Sequence, residues 1–169
     1  MSFPWVDGKL KISASAFAVV EKAAVDAYAR DEEACGYIQG PSSEPDLAVD
    51  ATELQNLANK YHEIDPDAHP RTGHDYFKIN ALKFERAVES GRAGDQPVKI
   101  FFHSHLDCGA YFSKEDAASM TMGGQAKPAY PLCYLVTAVD KGEVTAHKLF
   151  LFNQETKTFD ETEYSRVEG

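Results

Sequence analysis

The chain has 169 residues and a formal net charge of −10, from 17 Lys and Arg against 27 Asp and Glu. This length suits one domain over residues 1–169, and the charge argues against nucleic acid or an anionic membrane as the main partner. Because the chain has three cysteines, no apolar run of the ~20 residues that a membrane span needs and no apparent signal peptide, we expect a cytoplasmic protein with reduced thiols.

The first predicted elements alternate between strand and helix. Leu10–Ile12 has the alternation of a short strand, and Ser13 is a typical residue to begin a helix. Apolar residues then recur at spacings of three and four through Arg30, which predicts one buried helical face. Cys35–Gly40 is a short apolar run closed by glycine and predicts a buried strand, and we expect one further strand between Leu47 and Leu57.

The rest of the chain continues to mix helices and strands. In chain order we expect a loop at Pro66–Gly73, a helix at Asp75–Ser90, a strand at Val98–Phe102, a helix at Ser113–Met122, strands at Leu132–Val139 and Glu143–Phe152, and an edge strand at Thr156–Phe159. This mixture predicts an α/β or α+β fold in one layered domain.

One segment in the middle carries the residues of a metal site. The strand expected to end at Phe102 leads into His103-Ser104-His105, and alternate residues of a strand point to the same side. After a short loop, Ser113 and Asp116 begin the next helix, so its first turn can fold back toward the histidines. Two imidazoles and a carboxylate form a normal hydrolytic zinc set with an open fourth position, where zinc lowers the pKa of water toward ~7.

Each of these residues also has an ordinary structural role. Ser113-Lys114-Glu115-Asp116 matches a helix capping box, and the two histidines alone could be satisfied residues at a strand end. Glu33 is a candidate base, but Asp31-Glu32-Glu33 is also a common acidic turn between helix and strand. The combination at compatible spacing, more than any single residue, favours a metal site.

The combined pattern resembles the JAMM (JAB1/MPN-type) zinc metalloproteases, in their small prokaryotic form. The resemblance is carried by Glu33-Ala34-Cys35-Gly36, by His-x-His-x7-Ser-x-x-Asp from His103 to Asp116, and by the stretches Asn56-Leu57-Ala58 and Glu63-Ile64-Asp65-Pro66. It implies that one zinc ion binds to His103, His105 and Asp116, that Glu33 is the general base, and that Ser113 donates a hydrogen bond to the oxyanion. It departs at Leu106 and Phe112, which belong to the loop.

The resemblance also implies a fold and a substrate. The fold would be a curved mixed sheet flanked by helices, similar to that of the zinc cytidine deaminases. The substrate would be a ubiquitin-like protein or its conjugate, cleaved after a C-terminal Gly-Gly in deconjugation or sulfur-carrier processing. We expect the stretch Asp67–Tyr76 and the segment Met122–Tyr130 to contact this substrate, and we do not count His69 and His74 as ligands.

Other classes of protein fit the sequence less well. A metallo-β-lactamase would have histidine at Cys108, and a zinc deaminase would have Pro-Cys-x-x-Cys. An amidohydrolase barrel would need ~250 residues. The main alternative is a catalytically silent scaffold of the MPN type, although this chain keeps every motif residue. Its acidic balance favours a partner with a basic face.

Overall fold

The computed structural model describes residues 9–120, 128 and 130–169. Its four helices are α1 (Ala14–Ala29), α2 (Ala58–Ile64), α3 (Ala81–Ala93) and α4 (Lys114–Met120). Its nine strands are β1 (Leu10–Ser13), β2 (Cys35–Gln39), β3 (Leu47–Ala48), β4 (Asp50–Leu54), β5 (Val98–Leu106), β6 (Cys133–Asp140), β7 (Glu143–Asn153), β8 (Thr158–Thr162) and β9 (Tyr164–Val167).

The strands form two sheets. The larger sheet has the order β4-β2-β5-β6-β7-β8, in which β5 and β6 are parallel and every other neighbouring pair is antiparallel. The smaller sheet, β3-β1-β9, is parallel throughout. The prediction of a mixed sheet flanked by helices is therefore confirmed.

Helix α1 covers one face of the large sheet. The Ser13 side chain accepts a 3.1 Å hydrogen bond from the Ala16 main-chain N–H and caps the helix, as the sequence predicts. The buried stripe of α1, including Phe17 and Val20, packs in one cluster with Ile100 and Phe102 of β5. The described residues contain no helix with the length and apolar character that a membrane span requires.

Strand β5 is buried along its whole length and alternates between two cores. Ile100 and Phe102 belong to the cluster under α1, whereas Phe101 belongs to a second cluster with Phe77 and Phe84. By the same alternation, His103 and His105 lie on the Phe101 face, and Ser104 lies on the α1 face. The core of the sheet thus directs both imidazoles to one side.

Three expectations about the elements are wrong in detail. The residues from Leu47 to Leu57 form two strands, and β3 and β4 belong to different sheets. The second long helix begins at Ala81 instead of Asp75, because the Asn80 side chain accepts from the Lys83 N–H at 3.0 Å and caps it there. Strand β5 continues past Phe102 to Leu106, because its last residues pair with β6.

The remaining predictions of elements hold with small shifts. The edge strand expected at Thr156–Phe159 is β8, at Thr158–Thr162, while α2 and β9 were not expected. The third predicted helix is α4, and its expected end at Met122 lies outside the described residues.

Candidate metal centre

Four buried side chains converge at the end of the large sheet: Glu33, His103, His105 and Asp116. Their candidate ligand atoms all lie within 4.8 Å of one another. The Asp116 Oδ2 atom is 2.9 Å from His103 Nε2 and 3.2 Å from His105 Nε2, and the two Nε2 atoms are 3.2 Å apart. The structure therefore brings together the three residues predicted as ligands and the predicted base.

A turn after β5 fixes the orientation of His105. Its Nδ1 atom lies 2.9 Å from the Gly109 carbonyl oxygen. Because a carbonyl only accepts hydrogen bonds, Nδ1 carries a proton, and Nε2 is the ring nitrogen that faces the cluster. His103 is instead held by ring packing, with the Phe77 ring centroid 4.8 Å and the Phe112 centroid 6.0 Å away.

Ser113 and Asp116 form the predicted capping box at the start of α4. The Asp116 N–H donates to Ser113 Oγ at 3.0 Å, and the Ser113 N–H donates to Asp116 Oδ2 at 3.0 Å. Asp116 Oδ2 is also the atom that faces both histidines. The structural and the ligand interpretations are therefore compatible, since the carboxylate oxygen that caps the helix also lies within 3.2 Å of both histidines. The Ser113 hydroxyl oxygen accepts in this box, and none of the described residues accepts a hydrogen bond from its proton.

Main-chain contacts hold Glu33 in place. The Glu33 N–H donates to the Gly73 carbonyl at 2.6 Å, and the Glu33 carbonyl accepts from Asn56 Nδ2 at 2.9 Å. The same Asn56 amide nitrogen also donates to the Tyr76 carbonyl, while Asn56 Oδ1 accepts from the Lys78 N–H. The segment that we expected to contact substrate therefore also supports the candidate base.

The two carboxyl groups of the cluster have pKa values that are shifted in opposite directions. Burial raises the pKa of Glu33 to about 9, and the nearby Asp116 carboxylate acts in the same direction. Burial by itself would raise the pKa of Asp116, but the two imidazoles beside it hold that pKa well below its usual range. At neutral pH, Glu33 thus keeps its proton unless a cation joins the cluster.

The donor set fits a zinc ion. A tetrahedral zinc ion with bonds of about 2.0–2.1 Å holds its ligand atoms about 3.3 Å apart, close to the 2.9–3.2 Å separations between Asp116 Oδ2 and the two Nε2 atoms. Among the residues that the structure describes, Glu33 Oε1 is buried without a hydrogen-bond partner. A cation bound among these ligand atoms would give the orphaned buried carboxyl oxygen a partner.

The other described histidines and the cysteines do not belong to this group of candidate ligands. His74 Nδ1 is 2.6 Å from Asp31 Oδ1, and the His69 ring packs on Tyr61 with centroids 5.1 Å apart. Cys35 and Cys133 are buried, as expected, and Cys108 is exposed in the turn after β5. Asn56 is part of the family resemblance, but the sequence assigns it no role. Its position just before the short helix α2 is the one signal that the sequence offers. That signal does not identify its partners Glu33 and Tyr76, because both are remote in sequence.

Residues 18–149 match a family model that describes prokaryotic homologues of the JAB domain. The chain belongs to this family. The match spans the whole four-residue cluster as well as both parallel strands of the large sheet. No curated protein matches the chain.

Solved structures share the fold of this JAB-family chain. A Desulfitobacterium hafniense protein solved in solution is 20% identical with a TM-score of 0.67, covering 95% of this chain and 94% of its own. A JAB1/MPN domain protein from Archaeoglobus fulgidus is 16% identical with a TM-score of 0.52, covering 94% of this chain and 100% of its own. A Salinibacter ruber protein is 17% identical with a TM-score of 0.59, covering 93% and 91%. At these identities the likeness concerns the fold alone.

Proposed function

We propose that this JAB-family chain is a cytoplasmic zinc-dependent peptidase. It hydrolyses the peptide or isopeptide bond after the C-terminal Gly-Gly of a ubiquitin-like protein. The observation that carries the proposal is the convergence of His103, His105 and Asp116 beside a Glu33 carboxyl oxygen that has no hydrogen-bond partner among the described residues. The ubiquitin-like substrate is supported by the resemblance to JAMM proteases, and an extended tail with two glycines fits beside a crowded metal site.

Each residue of the cluster has one task in this reaction. His103, His105 and Asp116 would hold one zinc ion, which supplies Lewis acidity and makes hydroxide available near neutral pH. Glu33 takes a proton from the attacking water and later gives it to the leaving amine. The Ser113 hydroxyl donates a hydrogen bond to the oxyanion as that charge develops. The buried walls around His103 exclude bulk water and strengthen these interactions.

The test is an incubation of the purified chain with a ubiquitin-like protein that is extended past its Gly-Gly end. Cleavage is followed by mass spectrometry, and zinc per chain is measured on the same samples. We expect the wild-type chain to hold one zinc ion and to cleave. His105→Ala should lose zinc and cleavage, while Glu33→Gln should keep zinc and lose cleavage by about 100-fold or more.

Glu143→Gln is the matched control, because it makes the same change at an exposed position at the start of β7, outside the cluster. It should leave both zinc content and cleavage at the wild-type level. Wild-type protein without zinc, or Glu33→Gln that cleaves at the wild-type rate, would reject the mechanism. A chain without zinc that cleaves none of the extended proteins would favour the scaffold function.

A further inference from the structure

Two neighbouring cavities with shared lining residues form one groove. The larger, of about 450 Å³, lies between α2, residues 68–71 and α4, and the smaller, of about 210 Å³, lies between residues 76–79, α3 and α4. Tyr76, Lys78 and Ser119 line both cavities. We call this surface the Lys78 groove.

Two residues in the walls of the groove adjoin the candidate metal centre. Glu115, in the wall of the larger cavity, is the residue before Asp116. Phe77, in the wall of the smaller cavity, packs its ring against His103 with centroids 4.8 Å apart. An extended chain in the groove therefore ends beside the residues that would hold the ion.

The two cationic side chains that line the larger cavity, Arg71 and Lys78, differ in their carboxylate partners. Arg71 lies 3.2 Å from Glu115 Oε1 and 3.2 Å from Asp75 Oδ2, so its guanidinium already has two carboxylates. The Lys78 ammonium lies over the Tyr61 ring, 5.5 Å from its centroid, and no carboxylate pairs with it among the residues that the structure describes. Lys78 is also half-buried, which reduces screening of its charge by water.

We infer that the Lys78 groove binds the substrate segment before the scissile bond and that Lys78 selects an acidic side chain in that segment. This inference rests on the proposed peptidase function. The positive charge of Lys78 in the groove is opposite in sign to the net charge of the chain, which is −10. A half-buried ammonium next to tyrosine rings suits a glutamate, because its stem packs on the rings while its carboxylate meets the charge.

The test is binding of labelled short peptides that end in Gly-Gly, measured by fluorescence anisotropy. Each peptide carries Glu, Gln or Lys at the third, fourth or fifth residue from its end, and binding is measured with the Glu33→Gln chain so that no bond is cleaved. At one position we expect the Glu peptide to bind about tenfold more tightly than the Lys peptide. Unspecific attraction to an acidic protein would give the reverse order.

Variants of the chain test whether the preference for the Glu peptide depends on Lys78. Lys78→Gln should abolish it, Lys78→Glu should reverse it, and Lys83→Glu, an exposed lysine on α3 outside the groove, should leave it unchanged. Equal binding of the peptides, no binding by any of them, or a Glu preference that survives in Lys78→Gln would overturn the inference. A Lys78-dependent preference in a chain that fails the cleavage test would instead reject the peptidase and keep the groove.

Discussion

The Ser104 hydroxyl accepts a 2.7 Å hydrogen bond from the main-chain N–H of Ala34. The Ser104 N–H also donates to the Ala34 carbonyl at 3.0 Å, so the two residues, 70 apart in the chain, are joined twice. Ser104 lies between the two histidines, and Ala34 follows Glu33. This buried contact fixes the position of the candidate base Glu33 relative to the two candidate histidine ligands.

Ser104→Ala should therefore weaken both the fold and the site. The variant leaves the buried Ala34 N–H without its acceptor, and we expect the free energy of unfolding in urea to fall by about 1–3 kcal/mol. Cleavage should fall more than zinc content, because the ligand strand keeps its pairing with β6 while Glu33 loses an anchor. Ser165→Ala, on an exposed position of β9, is the control; equal stability of the two variants would contradict this account.

Metal analysis should separate the histidines of the cluster from those of residues 67–76. His103→Ala removes a ligand, so the zinc per chain should fall to near zero after gel filtration. The double variant His69→Ala/His74→Ala should keep one zinc per chain, because neither residue belongs to the cluster. Loss of zinc from the double variant would show that this segment contributes a ligand.

The pH dependence of stability should report the buried Glu33 carboxyl in metal-free protein. Its folded-state pKa of about 9 is above the ordinary 4.5, so between these pH values the folded chain keeps a proton that the unfolded chain has lost. The contribution of Glu33 to the free energy of unfolding therefore falls as pH rises, by at most about 1.4 kcal/mol per pH unit.

Glu33→Gln isolates this contribution. Because the other titrating groups are common to both proteins, the variant should gain stability over the metal-free wild type as pH rises from about 5 to 9. The measurement is urea unfolding of both proteins after dialysis against a chelator. A difference between the two proteins that does not change with pH would show that Glu33 is ionised in the folded metal-free chain.

The sequence predicts elements well where periodicity and capping agree, and fails where they conflict. In α1, the Ser13 cap and the buried stripe indicate the same boundaries. Before α3, Phe77 fits the helical spacing with Ala81 and Phe84, which favours an earlier start. Phe77 is indeed buried, but it packs from an extended segment, and the Asn80 cap decides where the helix begins.

In the candidate site too, the sequence predicts some features and not others. His103, His105 and Asp116 lie on adjacent elements, so strand alternation and a helix start suffice to bring them together. The supports of Glu33 come from Asn56 and Gly73, through main-chain contacts that have no periodic signature. The sequence does not show which cation near the groove lacks a carboxylate partner, because the pairing of Arg71 with Asp75 and Glu115 is a feature of the tertiary structure.

Gly109 should couple the turn after β5 to metal binding. Its φ of +84° is unfavourable for any side chain, and its carbonyl accepts the His105 Nδ1–H. Gly109→Ala should lower the free energy of unfolding by about 1–2 kcal/mol, because alanine is strained at that φ. As the turn relaxes, the carbonyl leaves His105, and the zinc affinity should fall by about 10- to 100-fold.

Gly142 offers a matched control for that variant. It has a φ of +83° in the turn between β6 and β7, and at both glycines an added Cβ would have no atom of the described residues within 4 Å. Gly142→Ala should therefore lose stability by a similar amount while its zinc affinity, measured by competition with a chromogenic chelator, stays at the wild-type value. If the two variants lose zinc affinity equally, general destabilisation explains the effect, and the Gly109 carbonyl has no separate part in orienting His105.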